Sequence, residues 1–364
     1  MLDNIASNAA ANAAANAAVD MKMYGLREQT AYERSDGCLI GRILSQEKGQ
    51  YRLICEKGEL PAELSGRLRH RTQSAADLPA VGDFVQADCG EGDELAMIRS
   101  VLPRKSVFLR RSAGTAHTSQ VVAANVDTVF LCMSLNQDFN LRRLERYLTV
   151  AWDSGARPVV VLTKADLCPD VASRLRAAES CAMGVDILVV SALAEDGYDA
   201  LLPYIRSGET VALIGSSGVG KSTLINRLLG EERLQTGGLR HDGRGRHTTT
   251  RRELLLLPRG GLVIDTPGMR ELGLWDAGAG LDRSFADIEA LAAQCRFADC
   301  SHTGEPDCAV RAALSGGTLS RQRWLSYQKL SAENAYAADT EEYLAQKKDK
   351  FKNIAKINKL NRKK

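Results

Sequence analysis

The sequence predicts an α/β fold with a small β-barrel at its N-terminal end and a helical, cysteine-containing region at its C-terminal end. Two patterns carry this prediction. Up to about residue 103 the chain shows short strand-like runs broken by Gly, Pro and charged turns. After residue 120, near-continuous apolar strands alternate with helical stretches, which is typical of a parallel sheet covered on both faces.

Composition excludes several classes of protein. The chain has 364 residues, 44% hydrophobic and 26% charged, which is enough for two or three packed domains, and its net charge of +3 is too small to indicate a partner. Nine cysteines, six of them scattered, do not look like a disulfide framework. No run of about 18 uncharged apolar residues and no secretion signal are present. We therefore expect a monomeric, cytoplasmic protein with no membrane partner.

The first 36 residues are predicted to be an extension. Residues 4–19 form an Ala/Asn tract with no apolar face, which favours a disordered or weakly helical segment. Either Met21 or Met23 could be the true start of the protein.

Residues 37–104 are predicted to form the barrel. Five runs carry this prediction: "CLIGRIL", "QYRLICE", "ELPAELS", "DFVQADC" and "LAMIRSV". Five short strands favour an OB-type barrel, although an SH3-like barrel would give the same pattern. Two basic groups, one in a predicted loop and one after the last strand, are either solvated charges or a phosphate-facing surface. Their members are Arg67, Arg69, His70 and Arg71, and Arg104, Lys105, Arg110 and Arg111.

Residues 105–280 are predicted to form the parallel sheet. The strands are "DTVFLCMSL", "RPVVVLT", "VDILVVSA", "ETVALIG" and "GLVIDTPG", with helices from about Leu141 to Ser154, around 170–183 and from Lys221. Such sheets bind ligands at the carboxyl ends of their strands, and the motifs described next all lie there.

The segment "GSSGVGKS" lies between a strand and a helix, which is the context of a phosphate-binding loop. Its glycines let backbone N–H groups point at phosphates, and the helix N-terminus adds positive potential. Lys221 is expected to reach the β and γ phosphates, and Ser222 to bind magnesium. The predicted nucleotide-binding residues are Gly215, Ser216, Ser217, Gly218, Val219, Gly220, Lys221, Ser222 and Thr223.

The segment "LVIDTPG" ends a predicted buried strand. Asp265 stands where nucleotide hydrolases hold magnesium, and the Gly268 N–H can sense the γ-phosphate. Met269 follows, where Ras-like enzymes carry a Gln that orients the attacking water, and a thioether cannot replace that amide. Hydrolysis must therefore recruit another group or be slow.

Residues 237–253 are polar and Gly-rich, as expected of a switch loop. One threonine of Thr248, Thr249 and Thr250 is expected to complete the magnesium shell, and we choose Thr249. His247 can replace the missing Gln as a water-positioning group, the alternative being an exposed loop histidine. The predicted catalytic residues are His247, Lys221 and Thr249.

The tetrapeptide "TKAD", made of Thr163, Lys164, Ala165 and Asp166, is similar to the guanine-reading motif of GTPases. A carboxylate at Asp166 can accept from guanine N1–H and the 2-amino group, whereas adenine offers neither donor on that edge. Lys164 can lay its methylene stem along the base. Ser191 and Ala192 of "VVSAL" match the second base-contacting loop. Both segments precede the phosphate loop, so the motif order is circularly permuted, as domains with neighbouring termini tolerate.

A Cys/His cluster lies in the helical region predicted over residues 281–345. Three thiolates and one imidazole, from Cys295, Cys300, His302 and Cys308, satisfy tetrahedral zinc with no open position. Buried free cysteines are the alternative. The tail, residues 346–364, holds nine basic residues and the single acid Asp349, a charge pattern suited to a phosphate backbone or an anionic membrane.

The barrel, the permuted motifs, "GRGRHTTT", "DTPGM" and the cysteine cluster together resemble the ribosome-small-subunit-dependent GTPases of bacteria, over about residues 37–345. This resemblance implies an OB domain, a permuted P-loop GTPase domain that uses Mg²⁺ with GTP, and a C-terminal domain with one structural Zn²⁺. It also implies a role in late maturation of the small ribosomal subunit, contact with its rRNA, and slow GTP hydrolysis that the subunit stimulates.

Two features depart from that family. Thr163 replaces the Asn of the base-reading motif, which is expected to loosen guanine affinity because Thr lacks the amide that braces neighbouring loops. The Ala/Asn extension is not a family feature. Two other functions stay open from sequence: an RNA-binding scaffold whose nucleotide is a structural or sensing ligand, and a permuted ATPase of metabolism.

Overall fold

The computed structural model describes residues 18–27, 38–47, 49–72, 74–90, 92–111, 119–234, 252–265 and 278–335. The strands are β1 (Leu39–Glu47), β2 (Gln50–Cys55), β3 (Gly58–Leu64), β4 (Phe84–Asp88), β5 (Ala96–Val101), β6 (Val107–Arg111), β7 (Ser119–Ala124), β8 (Thr128–Ser134), β9 (Arg157–Thr163), β10 (Asp186–Val189), β11 (Thr210–Ile214), β12 (Arg252–Leu256) and β13 (Leu262–Asp265). The helices are α1 (Gly66–Arg71), α2 (Leu141–Ser154), α3 (Val171–Glu179), α4 (Lys221–Leu229), α5 (Gly278–Ser284), α6 (Ala286–Ala292) and α7 (Ala309–Gly316), with α8 over 321–335.

Strands β1 to β5 close into the predicted barrel. The strand order is β1-β2-β3-β5-β4, and β4 pairs back onto β1. Strands β3 and β5 are parallel, whereas the other pairs are antiparallel. This closed Greek-key order is that of the OB-type barrel. Ile43, Leu53, Val85 and Ile98 fill the barrel and are fully buried.

The first basic group lies on a helix, so its prediction as a loop is wrong. Helix α1 begins after Ser65, whose Oγ accepts a hydrogen bond from the Leu68 N–H at 3.2 Å. A side-chain acceptor at this position satisfies an N–H that has no partner within the helix, which stabilises even this short helix. Arg67, Arg69, His70 and Arg71 are all exposed. The helix therefore presents its positive charge to solvent.

Two members of the second basic group form ion pairs within the protein. Arg104 donates to both carboxylate oxygens of the buried Asp83, at 2.8 and 2.7 Å, and also to two backbone carbonyls. Lys105 donates to Asp127 at 2.6 Å. These ion pairs tie the barrel to the segment that follows it, a role that neither of the two sequence alternatives included.

The second sheet has the order β10-β9-β8-β11-β13-β12. Its strands are parallel except for β12, which runs antiparallel to β13. Alternate residues of β8 enter different clusters: Leu131 packs with α2 and α3, and Phe130 with α4. Both faces are therefore covered by helices, as the apolar strands predicted.

Several elements were not predicted from sequence. Strands β6 and β7 form a separate antiparallel hairpin, and Asp199–Tyr204 forms a 3-10 turn. Strand β12 includes Arg252 and Glu253, which were predicted to lie at the end of the switch loop. These strands are short and border polar segments, so their apolar pattern covers too few residues to give a period.

The barrel and the second sheet are continuous. Strand β12 pairs antiparallel with β1, with Ser45 opposite Glu253 and Gln46 opposite Arg252. The guanidinium of Arg42, on β1, is buried at this junction and donates to the Thr210 hydroxyl at 2.8 Å and the Asn125 carbonyl at 3.2 Å. Burial lowers the pKa of Arg42 to about 10, so the group stays charged at neutral pH.

The C-terminal helices form their own core and pack on helix α2. Phe285, Ile288, Val310 and Trp324 are buried in this core. A Cβ built on Gly280 of α5 would overlap the carbonyl oxygen of Thr149 on α2, so only glycine allows this close approach. Among the helices of the described ranges, none has the length and hydropathy that a membrane span needs.

Candidate nucleotide-binding site and metal centre

Strand register brings the predicted motifs to one edge of the second sheet. Ile214, the last residue of β11, pairs with Leu131 of β8, while Thr163 at the end of β9 pairs with Ser134. On the other side of β11, strand β13 runs parallel and ends at Asp265. The phosphate loop, the base-reading segment and Asp265 therefore all follow strands at the same carboxyl edge.

The phosphate loop connects β11 to α4, and its glycines are required by the backbone. Gly218 and Gly220 have φ angles of +72° and +104°, in the region that side chains with a Cβ rarely adopt. A Cβ on Gly215 would lie 2.6 Å from the carbonyl oxygen of Cys132 on β8. Val219 is buried and anchors the loop in the core beneath it. Ser217 and Gly218 are exposed, so the tip of the loop is open to a ligand.

Lys221 places a positive charge inside the curve of this loop. Its ammonium donates to the Gly215 and Ser216 carbonyls, each at 2.7 Å. Ser222 and Thr223 follow in the first turn of α4 and are half-buried. The first N–H groups of a helix have no partner within it, so this end of α4 offers donors and positive potential to an anion.

The two base-reading loops contact each other. Lys164 adopts the left-handed conformation, with φ +59°, at the turn that follows β9. Asp166 is exposed, and one of its carboxylate oxygens accepts from the Ser191 hydroxyl at 2.5 Å. The Ala165 N–H donates to the Val190 carbonyl at 3.3 Å. Residues that are about 25 positions apart in sequence therefore form one surface.

Thr163 is buried and braces the phosphate loop. Its hydroxyl donates to the Val219 carbonyl at 2.7 Å. Thr163 therefore supplies a hydrogen bond to the neighbouring loop through its hydroxyl in place of an amide, and its effect on guanine affinity stays a prediction. On the other side of the site, Arg227 of α4 donates to the Ala192 carbonyl at 3.0 Å, which ties the second base loop to the phosphate-loop helix.

Several predicted site residues lie outside the described residues. They are Thr248, Thr249 and Thr250, His247, Gly268 and Met269. The tail, residues 346–364, and most of the N-terminal extension also lie outside these ranges. Their predicted roles in magnesium binding, water positioning and partner binding stay predictions.

Two residues beside the phosphate loop were not predicted from the sequence. Asp138, in the turn after β8, accepts a hydrogen bond from the hydroxyl of Ser216. Arg143 of α2 donates to both oxygens of Asp138, each at 2.8 Å. The polar run "NQD" directly after a buried strand could have indicated them, because loops at carboxyl strand ends line the ligand site.

The four predicted metal ligands form a compact cluster at the start of the C-terminal region. The ligand atoms of Cys295, Cys300, His302 and Cys308 all lie within 4.8 Å of one another. The Cys295 and Cys308 sulfurs are 3.9 Å apart, and His302 Nδ1 lies 3.6 and 3.4 Å from them. Tetrahedral zinc bonds of about 2.3 Å to sulfur and about 2.1 Å to nitrogen give sulfur–sulfur and sulfur–nitrogen separations of about 3.8 and about 3.6 Å. The donor set and its spacing therefore fit a tetrahedral metal ion.

Neighbouring groups hold these ligands in place. The Glu305 carboxylate accepts from the Ser301, Thr303 and Gly304 N–H groups, at 2.8 to 3.0 Å, and so fixes the loop between Cys300 and Cys308. The hydrogen bond from the Ser301 hydroxyl, followed by those from backbone N–H groups including Gly304 and Ser301, holds the pKa of Glu305 well below its usual range. The His302 ring packs edge-on against Trp324, with centroids 5.6 Å apart. The ligand loop is thus rigidly attached to the helical core.

We expect Cys308→Ser to release the metal ion from the protein, because a hydroxyl is a poor replacement for a buried thiolate ligand. The metal content measured by plasma mass spectrometry should fall from one ion per chain to near zero, and the C-terminal helices should become sensitive to protease. Cys38→Ser is the matched control, since Cys38 is a buried thiol in the barrel that donates to Asp88. Full metal content in Cys308→Ser would contradict this ligand set.

Comparisons with known proteins agree with this architecture. A model of the RsgA GTPase family matches residues 101–275. The "Small ribosomal subunit biogenesis GTPase RsgA 2" of Lactiplantibacillus plantarum is 49% identical over 333 residues, covering 91% of this chain and 94% of that protein. The "Small ribosomal subunit biogenesis GTPase RsgA" of Opitutus terrae is 51% identical over 318 residues, covering 84% and 86%.

Solved structures show the same fold. The crystal structure of YjeQ from Thermotoga maritima matches with a TM-score of 0.62 and 27% identity, covering 82% of this chain and 99% of that one. YloQ, described as a circularly permuted GTPase, matches in fold with a TM-score of 0.60 at 24% identity, covering 84% and 97%. The permuted strand order, the phosphate loop and these similarities have one explanation: the chain belongs to the RsgA GTPase family.

Proposed function

We propose that this protein is a small ribosomal subunit biogenesis GTPase, which hydrolyses GTP to GDP and phosphate while it assists maturation of that subunit. One observation carries the proposal. The permuted strand order still places the phosphate loop, the base-reading loops and Asp265 at one edge of the sheet, and hydrogen bonds from Thr163 and Arg227 tie these loops together. A nucleotide would span the site, with its base at Asp166 and its phosphates at Lys221.

Each part of the nucleotide has a matching group. The loop from Gly215 to Gly220 and the first turn of α4 present N–H donors to the phosphates, and Lys221 adds a full charge. The Ser191 hydroxyl orients the Asp166 carboxylate, which then accepts from the guanine edge. Magnesium, bound by Ser222 and Thr249 with Asp265 beside it, would neutralise negative charge on the β and γ phosphates.

Hydrolysis is proposed to be slow without the partner. Met269 stands where a water-orienting amide is usual, and we assign water positioning to His247, whose neutral ring can accept from water. Contact with the small subunit would order the segment that carries His247 and Thr249, because binding to a partner can fix a switch loop in its active arrangement.

The remaining parts are proposed to grip the subunit. The exposed basic face of α1 and the basic tail suit an rRNA backbone, since neutralised phosphates release counterions. Zinc is the proposed occupant of the cysteine cluster, because three thiolates and one imidazole at these spacings leave no open position for catalysis. The protein would act as a monomer in the cytoplasm, where small subunits mature. The domains are proposed to cover 37–104, 105–280 and 281–345.

The central test is GTP hydrolysis measured with and without purified small ribosomal subunits. We expect strong stimulation by small subunits, none by large subunits, and no competition from excess ATP, because adenine lacks the donors that Asp166 accepts. An unchanged rate with small subunits would contradict the proposed partner. Hydrolysis of ATP at the same rate would contradict the proposed nucleotide.

Asp166→Asn is expected to change the base that the protein prefers. The new amide cannot accept two hydrogen bonds from guanine, but its N–H₂ can donate to the 2-carbonyl of xanthine. Affinity for GDP should fall by at least about 100-fold, because two hydrogen bonds to a charged group are lost. Competition between fluorescent GDP and xanthosine diphosphate measures the change. Asp170→Asn is the control, since Asp170 caps α3 through the Ser173 N–H and lies outside the base-reading loop.

A further inference from the structure

Asp138 is a carboxylate placed beside a loop that is proposed to bind phosphates. It lies in the turn after β8, and the Ser216 hydroxyl of the phosphate loop donates to its Oδ2. Negative charge here repels a bound di- or triphosphate, so an unpaired Asp138 would weaken nucleotide binding. Its position therefore needs a physical reason.

Arg143 supplies the compensating charge. Its Nη1 donates to both oxygens of Asp138 at 2.8 Å, and both side chains are about one-third exposed. Burial raises the pKa of Asp138, but the hydrogen bonds from Arg143 and Ser216 outweigh it and hold the pKa below its usual range. Asp138 is therefore ionised at neutral pH and can only accept, so the Ser216 hydroxyl must point its proton at it.

The turn that carries Asp138 is itself fixed. The Asn136 side-chain oxygen accepts from the Ser134 hydroxyl at 2.8 Å and from the Asp138 N–H at 3.0 Å. Asn140 caps α2 by accepting from the Arg143 N–H at 3.1 Å. Both partners of the ion pair thus start from an ordered backbone, which reduces the entropy cost of holding the pair.

We propose that Asp138 and Arg143 are positioning residues of the phosphate loop. Asp138 accepts the hydrogen bond from Ser216, and this contact, the brace, fixes the start of the loop. Arg143 neutralises the negative charge that Asp138 places beside the phosphates. The brace complements Thr163, which holds the other end of the loop through Val219. The inference rests on the proposed nucleotide site.

The same helix connects this brace to the C-terminal domain. Glu145, two residues after Arg143, accepts from Arg323, and Arg146 donates to Glu333 at 2.9 and 2.7 Å. Helix α2 is therefore a rigid element that contacts both the brace and the metal-binding region.

The test measures release of fluorescent GDP from the full-length protein. We expect Asp138→Ala and Ser216→Ala each to speed release about tenfold, because each removes the same charged hydrogen bond. The double variant should release no faster than either single variant. In steady-state hydrolysis by Asp138→Ala, KM should rise while kcat stays, since Asp138 contacts the Ser216 hydroxyl and not the reacting atoms. Additive effects, or wild-type release in Asp138→Ala, would overturn the inference.

Restoring the charge balance in a double variant provides a second readout. Arg143→Ala should weaken binding more than Asp138→Ala does, and GTP more than GDP, because it leaves an unpaired carboxylate beside the phosphates. Adding Asp138→Ala to Arg143→Ala should restore binding to the level of Asp138→Ala alone. A merely structural pair would show no such rescue, and that outcome would overturn the proposal.

Two further variants serve as controls. Arg174→Ala removes a guanidinium that stacks 4.8 Å from the Phe139 ring, on the same turn, and should leave release unchanged. Asp138→Asn keeps the shape of the side chain and should give an intermediate effect even if Asp138→Ala folds poorly. Failure of the wild-type protein to bind any guanine nucleotide would refute the proposed function, whereas normal wild-type binding with unaffected variants would refute only the brace.

Discussion

Lys221→Ala is expected to reduce GTP hydrolysis by about two to three orders of magnitude, the usual loss when one preorganised group that stabilises the transition state is removed. The ammonium lies inside the loop, where it donates to the Gly215 and Ser216 carbonyls, and this is the proposed position of the phosphates. Charge that builds up on the β–γ bridge would lose its nearest cation. Single-turnover hydrolysis at saturating GTP measures the loss.

The control for this variant is Lys329→Ala, which removes an equal charge from the exposed face of α8. It should hydrolyse GTP at the wild-type rate in the absence of ribosomes. The thermal transition of Lys221→Ala should stay close to that of the wild type, because Lys221 is only half-buried. A rate within twofold of wild type in Lys221→Ala would show that this loop does not bind the reacting phosphates.

Arg323→Ala is expected to destabilise the contact between the second sheet and the C-terminal domain by about 3 to 5 kcal/mol, the usual effect of removing one partner of a buried ion pair. Arg323 donates to Glu145 at 3.0 Å and to both oxygens of Asp287 at 2.6 Å, and it is buried. Without it, two carboxylates lose their cation. Thermal unfolding and limited proteolysis between α7 and α8 measure the loss.

The pH dependence of this variant has a definite sign. Burial already raises the pKa of Glu145, and loss of Arg323 removes an attraction that opposes this rise. The folded variant therefore binds a proton more tightly than the unfolded chain, so its stability falls as pH rises through the raised pKa. Destabilisation should be smaller at pH 5 than at pH 8, and an equal loss at both would contradict the role of Glu145.

Arg146→Ala is the matched control for Arg323→Ala. Its pair with Glu333 joins the same two elements, but each side chain is 34% exposed. Exposed pairs contribute about 0 to 1 kcal/mol, so the transition should move little. A large loss of stability in Arg146→Ala would mean that any substitution at this junction destabilises it, and would contradict a specific role of the buried Arg323 pair.

The sequence could predict the elements whose signals are local. Strand β9 and helix α2 have the predicted bounds. A long apolar run and an amphipathic helix each extend their hydrophobic pattern over enough residues to identify the element from sequence. The phosphate loop and the cysteine cluster were predictable because their chemistry needs fixed residue types at fixed spacings. The circularly permuted order was predictable from the positions of the two base-reading segments and the phosphate loop in the sequence.

The buried charges could not be predicted in this way. Arg42 and Arg323 look like surface residues in the sequence, since an arginine is buried only when distant partners satisfy its donors. Arg323 and Glu145 are 178 positions apart, and Arg42 and Thr210 are 168 apart. Asp138 was missed for the same reason, because its meaning depends on Ser216 and Arg143 together.

Strand β1 serves both the barrel and the second sheet, which has a consequence for how the chain folds during synthesis. Residues 39–42 close the barrel against β4, while Ser45 and Gln46 pair with β12, about 200 residues later in the chain. At synthesis rates of about 5 to 20 residues per second, the later partner follows by about 10 to 40 s. During that interval the edge of β1 that later pairs with β12 has no strand beside it at Ser45 and Gln46, and it is open to pairing with other nascent chains.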